Sequence, residues 1–168
     1  MGREVRRVPV DWQHPEENGR PIPLYGRRFS EAWREWAEDE ELFKRGLQRT
    51  WEKEIIPIPD KYKDKTSEQW HGSAPVAKDY MPEWPEEIKT HFQMYEDTSE
   101  GTPISPVMET LEQLARWLAD NNASALGNQT ATYEQWLATC KVGWAVSAIY
   151  TPQTGLVSGV EYEEKHKS

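Results

Sequence analysis

An α+β fold follows from three features of the chain. Two segments carry helix-start signals ahead of apolar residues at helical spacing, Thr110 with Gln113 and Thr132 with Gln135. In each, the Thr oxygen takes an orphan backbone N–H while the Gln reaches back toward the Thr. Three short stretches around them, residues 91–96, 144–150 and 156–162, alternate apolar and polar side chains with the period of a strand. Nine Trp and seven Tyr supply burial that a hydrophobic fraction of 36% does not, since each large aromatic buries roughly 150–250 Å².

Taken in order, residues 1–28 read as an extended arm. Pro9, Pro15, Pro21 and Pro23, with Gly19 and Gly26, argue against a helix or a central strand there. Val5, Val8, Val10 and Trp12 would anchor the arm, and Arg3, Arg6 and Arg7 would rest on the acidic C-terminal half. Residues 29–56 read as a long amphipathic helix opened by Ser30 as N-cap and Glu31 in the first turn. Phe29, Trp33, Trp36, Phe43, Leu47 and Trp51 form its stripe, down to about residue 54. Glu38, Asp39, Glu40 and Glu41 form an acidic belt, with Glu40–Lys44 and Glu41–Arg45 as expected i,i+4 pairs. Pro57 and Pro59 stop the helix. Residues 57–88 follow as a loop and linker held by Tyr62, Trp70, Val76, Tyr80 and Met81.

Residues 89–168 read as a small α+β domain of two capped helices and a three-stranded antiparallel sheet. A strand at 91–96 leads through a turn-rich connection at 97–103 to the first helix. Leu111, Leu114, Ala115 and Leu118, with Trp117 beside them, give that helix its stripe. Tyr133, Trp136, Leu137 and Cys140 give the second, which Gly143 ends in a left-handed cap. Residues 144–150 and 156–162 pair as a hairpin, and the tail from 163 to 168 frays. A stretch of this kind, about 90–162, is expected to fold without the first 80 residues.

Composition restricts function. Net charge is −9; residues 1–80 carry 15 Lys/Arg against 16 Asp/Glu, and the remainder 5 against 13. That distribution lacks the positive footprint of a nucleic-acid binder. Cys140 is the only cysteine, so no intramolecular disulfide forms, and its place in an apolar stripe gives it a packing role. His14, His71, His91 and His166 share no metal-ligand spacing. Phosphate loops and the GxSxG nucleophile motif are absent from the sequence. No catalytic residue, cofactor or metal is therefore expected, and the reading is not an enzyme. No apolar run reaches the roughly 20 residues of a membrane span. The N-terminus has no secretory h-region, so the expected place is the cytoplasm.

Trp33, Trp36, Glu38, Asp39, Glu40 and Glu41 are the candidate partner-binding residues. Aromatics of this kind anchor interfaces, and the acids beside them would steer a basic protein surface.

Two stretches resemble parts of small accessory proteins of tailed bacteriophages and prophages. They are the opening GREVRRVPVDWQHP and the words SEGTPISPVMETLEQLARWLADNNAS and QTATYEQWLATCKVGWAVSAIY. The resemblance covers a third to a half of the chain and carries no catalytic motif. It implies a phage-encoded protein acting in the cytoplasm of a bacterial host. Its partner is then a host protein or nucleoprotein complex, for example a CRISPR effector. The leading expectation is a non-enzymatic, anti-CRISPR-like inhibitor that occludes a nucleic-acid or partner site. The alternative is a structural or regulatory accessory protein of the phage.

Overall fold

The computed structural model describes residues 2–96, 101–153 and 155–165. In chain order it has β1 (Arg3–Val8), β2 (Glu16–Glu17), β3 (Arg20–Pro21), α1 (Phe29–Lys44), β4 (Leu47–Arg49), β5 (Ile55–Pro57), α2 (Ser67–His71), β6 (His91–Glu96) and β7 (Thr102–Pro103). These are followed by α3 (Leu111–Asp120), α4 (Tyr133–Val142), β8 (Trp144–Ala145), β9 (Ala148–Thr151), β10 (Gly155–Ser158) and α5 (Gly159–Lys165). The mixture is α+β. It divides into two compact units, Met1–Gly26 with Trp84–Ser168, and Arg27–Glu83.

The arm expected over residues 1–28 is in fact built around a strand. β1 ends before Pro9 and forms an inner strand of a four-stranded antiparallel sheet ordered β7-β6-β1-β8. It pairs with β6 from Arg3 opposite Glu96 to Val8 opposite His91, and with β8 through Arg3 and Glu4. A proline removes a ladder donor only where it stands, so the breakers from Pro9 onward leave the six residues before them free to pair. The expected contact with acidic C-terminal residues is made by two of the three arginines: Arg3 lies 3.6 Å from Glu96 and Arg7 3.0 Å from Glu86, whereas Arg6 pairs with Glu4 at 2.9 Å.

The expected three-stranded sheet is corrected as well. Residues 144–150 split into β8, in the main sheet, and β9, which pairs with β10 in a separate hairpin. The strand expected over 156–162 ends at Ser158, whose Oγ accepts from the backbone N–H of Glu161 at 3.1 Å and so caps α5. Ser158 followed three residues later by Glu161 is the same start signal that marks α3 and α4.

Register decides what each sheet face buries, because side chains alternate along a strand. Val5 stands opposite Met94 on one face, under α3 and α4. There Met94, Leu114, Leu118, Trp136, Cys140 and Val160 form the central buried cluster, as the two stripes predict. Thr132 and Gln135 make both bonds of their capping box. Thr110 accepts from Gln113 N–H, but Gln113 Oε1 accepts from Glu109 N–H instead of returning to Thr110. Gly143 takes the left-handed conformation at φ 96°.

The other face carries Glu4, Arg6 and Val8 opposite Tyr95, Gln93 and His91. Val8, Tyr95 and Leu24 are buried there. Leu24 N–H donates to Gly101 O at 3.1 Å. Gly101 sits at φ +53°, and a Cβ on it would fall 2.1 Å from the Leu24 carbonyl oxygen. Gly101→Ala is therefore expected to cost more than about 2 kcal/mol, combining left-handed strain with a backbone clash. Gly19→Ala, at φ +73° with nothing within 4 Å of the added carbon, supplies the strain alone. Comparing the two melting curves separates the terms.

In the second unit, α1 ends at Lys44 rather than near residue 54. Arg45 N–H bonds Leu42 O and Gly46 N–H bonds Phe43 O, and Gly46 sits at φ +72°. A glycine inside a helix costs about 1 kcal/mol relative to alanine, a penalty that apolar spacing alone does not register. Beyond it, β4 and β5 pair from Leu47 opposite Pro57 to Arg49 opposite Ile55. Ser30 is not the N-cap: Arg28 holds that place, and Ser30 donates from both N–H and Oγ to Glu83 at 2.8 Å.

The linker expected over 57–88 contains α2, with a complete Thr66–Gln69 capping box. Its Tyr80 and Met81 are buried, and Ala32, Leu42 and Ile58 complete the set of buried apolar residues in this unit. Parts of the 97–103 turn and of the tail, residues 97–100 and 166–168, lie outside the described residues.

Candidate functional site

The six residues predicted to bind a partner all lie on α1, but they do not share one role. Trp33 is 46% exposed and lines a groove of about 630 Å³ together with Ala37, Leu42 and Ile55. Trp36 is half-buried and turns toward α2, its ring tilted 60° to that of His71 at 5.8 Å between centroids and its Nε1–H donating to Gly72 O at 3.1 Å. Trp33 and Trp36 touch at 5.6 Å between centroids.

The acidic belt is engaged within the unit. Glu38 and Asp39 both accept from Arg49 of β4, at 2.8 and 3.1 Å. Glu40 Oε2 lies 3.1 Å from His71 Nε2, and Glu41 accepts from Lys44 at 2.7 Å. The i,i+4 pairs expected for Glu40 and Glu41 are thus replaced by one contact across to α2 and one i,i+3 pair. The exposed pairs among them contribute about 0–1 kcal/mol each, and because Glu38 and Asp39 share the single Arg49 the belt keeps part of its negative charge. Arg34 and Arg45 also line the groove, and among the described residues no ion pair to either is found. The lining of the groove itself carries Arg34, Arg45 and Arg49 against Glu38 and Glu41.

The β4–β5 turn adds a residue that sequence spacing misplaced. Thr50 closes this turn, its N–H bonding Glu54 O and its Oγ1 accepting from Glu54 N–H, with Lys53 at φ +65°. Trp51 sits in it at 95% exposure. Spacing put it in a helical stripe; Gly46 was the available sign that the helix had already stopped.

A second constellation lies in the sheet unit, on the face opposite α3 and α4. Tyr95 Oη accepts from Trp12 Nε1–H at 3.1 Å and donates to Gln93 Oε1 at 2.9 Å. His14 Nδ1 approaches the same hydroxyl at 3.1 Å, and His14 Nε2 reaches Ile22 O at 2.7 Å. The Arg6 guanidinium lies 4.2 Å above the Tyr95 ring. Burial raises the Tyr95 hydroxyl to about 12, against the opposing pull of the Trp12 hydrogen bond and Arg6. Burial also lowers the proton affinity of His14, with Arg6 adding to that effect, while the Ile22 carbonyl and Glu16 oppose it. His14 and Tyr95 stand 81 positions apart in sequence, so no local pattern announces the pair.

His14 makes a pH prediction. The folded chain binds the His14 proton less readily than the unfolded chain does, so stability is full above the ordinary value near 6.5 and falls as pH drops below it. Melting temperatures measured across that range should decline toward acid, and His14→Gln should flatten the decline.

Cys140 is 2% exposed. Burial, and then the nearby Glu112 charge, push its thiol up to about 12. A thiol so placed holds almost no thiolate at neutral pH and is inert. The native chain should not react with a thiol-specific chromogenic disulfide, the denatured chain should react with one equivalent, and Cys140→Val should leave any partner binding intact.

Among the described residues no three His, Cys, Asp or Glu side chains gather in a way that would hold a metal ion, and no helix is long and apolar enough to cross a membrane. No family model matches the chain, and neither the curated proteins nor the solved structures contain a match.

Proposed function

We propose that this chain is a binding protein without catalysis of its own, a phage-encoded inhibitor that docks on a host defence complex and occludes a nucleic-acid or partner site. The observation that carries the binding half is Trp51, 95% exposed in a hairpin turn of the unit that also holds the Trp33–Ile55 groove. Tryptophan is enriched among interface residues whose loss costs about 2 kcal/mol or more. The phage half rests on the resemblance of the opening segment and of the words around α3 and α4.

Local charge refines the partner. Sequence reading expects a basic host surface, but the belt acids are paired with Arg49, His71 and Lys44. Arg34 and Arg45 remain at the groove. The segment that fits is apolar, seated against Trp33 and Ile55, with carboxylates flanking it.

The immobilised full chain, offered lysate of a CRISPR-positive host, is expected to retain a complex whose dissociation Trp51→Ala accelerates about thirtyfold. The melting temperature should stay unchanged, because Trp51 buries almost nothing in the chain itself. Arg34→Glu with Arg45→Glu should weaken the same complex. Unaltered kinetics in both variants would remove this face from the function. If binding persists but expression of the protein does not restore plaque formation by a CRISPR-sensitive phage, the accessory-protein alternative replaces the inhibitor.

A further inference from the structure

The sheet unit contains a cleft of about 990 Å³, lined by Trp12, His14, Gln93, Ser105 and Trp117 together with prolines such as Pro103 and Pro106. Small-molecule sites run to roughly 300–1,000 Å³ and combine apolar walls with a few placed polar groups. The polar groups here can be counted hydrogen by hydrogen.

The Ile22 carbonyl only accepts, so His14 Nε2, at 2.7 Å, carries the proton of a neutral ring. That leaves His14 Nδ1 an acceptor, 3.1 Å from the Tyr95 hydroxyl. Gln93 Nε2 donates to Ser105 O at 2.8 Å, which fixes the amide and turns Oε1 to the same hydroxyl at 2.9 Å. Trp12 Nε1, a donor only, already gives its hydrogen to the Tyr95 oxygen. One phenolic hydrogen thus faces two acceptors, and both acceptor residues line the cleft. Tyr95 gives that hydrogen to Gln93 Oε1, which leaves the half-buried His14 Nδ1 as the acceptor on the cleft wall still short of one.

The wall therefore offers acceptors beside the donors of the Gln13 amide and the Trp117 indole. Glu16, which also lines the cleft, adds a carboxylate, and no Lys or Arg is part of the lining. An occupant must bring hydrogens and must not bring negative charge. Two indoles among the lining residues offer faces for apolar C–H groups. We infer that this cleft binds a neutral saccharide, whose hydroxyls supply the missing hydrogens and whose ring faces stack on Trp12 and Trp117.

Competing ligands fail on the same count. A proline-rich peptide brings carbonyl acceptors and no N–H, so it would leave His14 Nδ1 and the Glu16 carboxylate without a donor. A phosphate or acidic sugar would meet Glu16 with no Lys or Arg in the lining to pair with it.

The test is saturation-transfer NMR on the full chain with maltotriose, cellotriose and chitotriose, and with trigalacturonic acid and octaproline as contrasts. At least one neutral trisaccharide is expected to receive magnetisation at its ring C–H protons. Trp117→Leu should weaken that binding at least about tenfold. If this variant loses its cooperative melt, Gln13→Ala at the exposed edge of the cleft takes its place, with a loss of about threefold or more expected. Silence from all three neutral sugars overturns the inference. So does equal binding by the folded variant, or stronger transfer to trigalacturonic acid or octaproline.

Discussion

A chain lacking residues 1–26 is expected to lose the cooperative unfolding transition of its sheet unit. β1 lies inside the sheet, pairing along its whole length with β6 and at one end with β8. Its removal strips backbone partners from both neighbours and uncovers Met94 and Tyr95, which are fully buried. The same deletion takes away Val8 and Leu24, buried on the second face. Native domains hold only about 5–15 kcal/mol in reserve, and burying even one such apolar side chain contributes about 1.5–3 kcal/mol. Circular dichroism of the truncated chain, and of residues 90–162 alone, should show no cooperative melt of this unit. A sharp transition from the 90–162 segment would mean that the two helices and β6 suffice, as the sequence by itself suggested.

Trp136→Ala is expected to be the most damaging single core substitution in that unit, at about 3–5 kcal/mol. Trp136 is the largest fully buried side chain, and it sits in the cluster with Leu114, Leu118 and Cys140. Among the described residues its Nε1–H finds no hydrogen-bond partner, and an unsatisfied buried donor costs about 1–3 kcal/mol. Trp136→Phe removes that donor along with some volume, so the two effects offset and its loss should be well under half that of the alanine variant. Chemical denaturation of the three proteins decides the matter: equal losses for Phe and Ala would mean that the indole N–H is satisfied after all.

What the sequence made legible was local. The Thr132–Gln135 box, the Gly143 cap and the α3 and α4 stripes each depend on residues within a few positions of one another, and each is found. Misreadings arose where one local signal hid another. The aromatic spacing through Leu47 and Trp51 masked the stop at Gly46, and the run of prolines from Pro9 masked the pairing strength of Arg3–Val8. Ser158 and Glu161 were legible but lay inside an alternating stretch that looked like strand. The groove was half visible: Trp33, Glu38 and Glu41 line it, but Arg49 reaches it only because the chain turns back at Gly46, and Ile55 because it reverses again between β4 and β5. The Trp12–His14–Gln93–Tyr95 cluster was invisible, since its members meet only through the register of β1 and β6 and the path of residues 9–26.

That register also sets a timetable for synthesis. The principal partner of β1 is β6, and the whole of Arg27–Glu83 is translated between them. At roughly 5–20 residues per second, a ribosome that has made Val8 needs several seconds or more to deliver His91. Contacts within Arg27–Glu83 close over shorter distances and can form during that delay, while β1 waits unpaired. Its sequence suits the wait: Arg3, Glu4, Arg6 and Arg7 leave only Val5 and Val8 as apolar side chains in the strand, and charges of this density discourage a lone strand from pairing with a stranger.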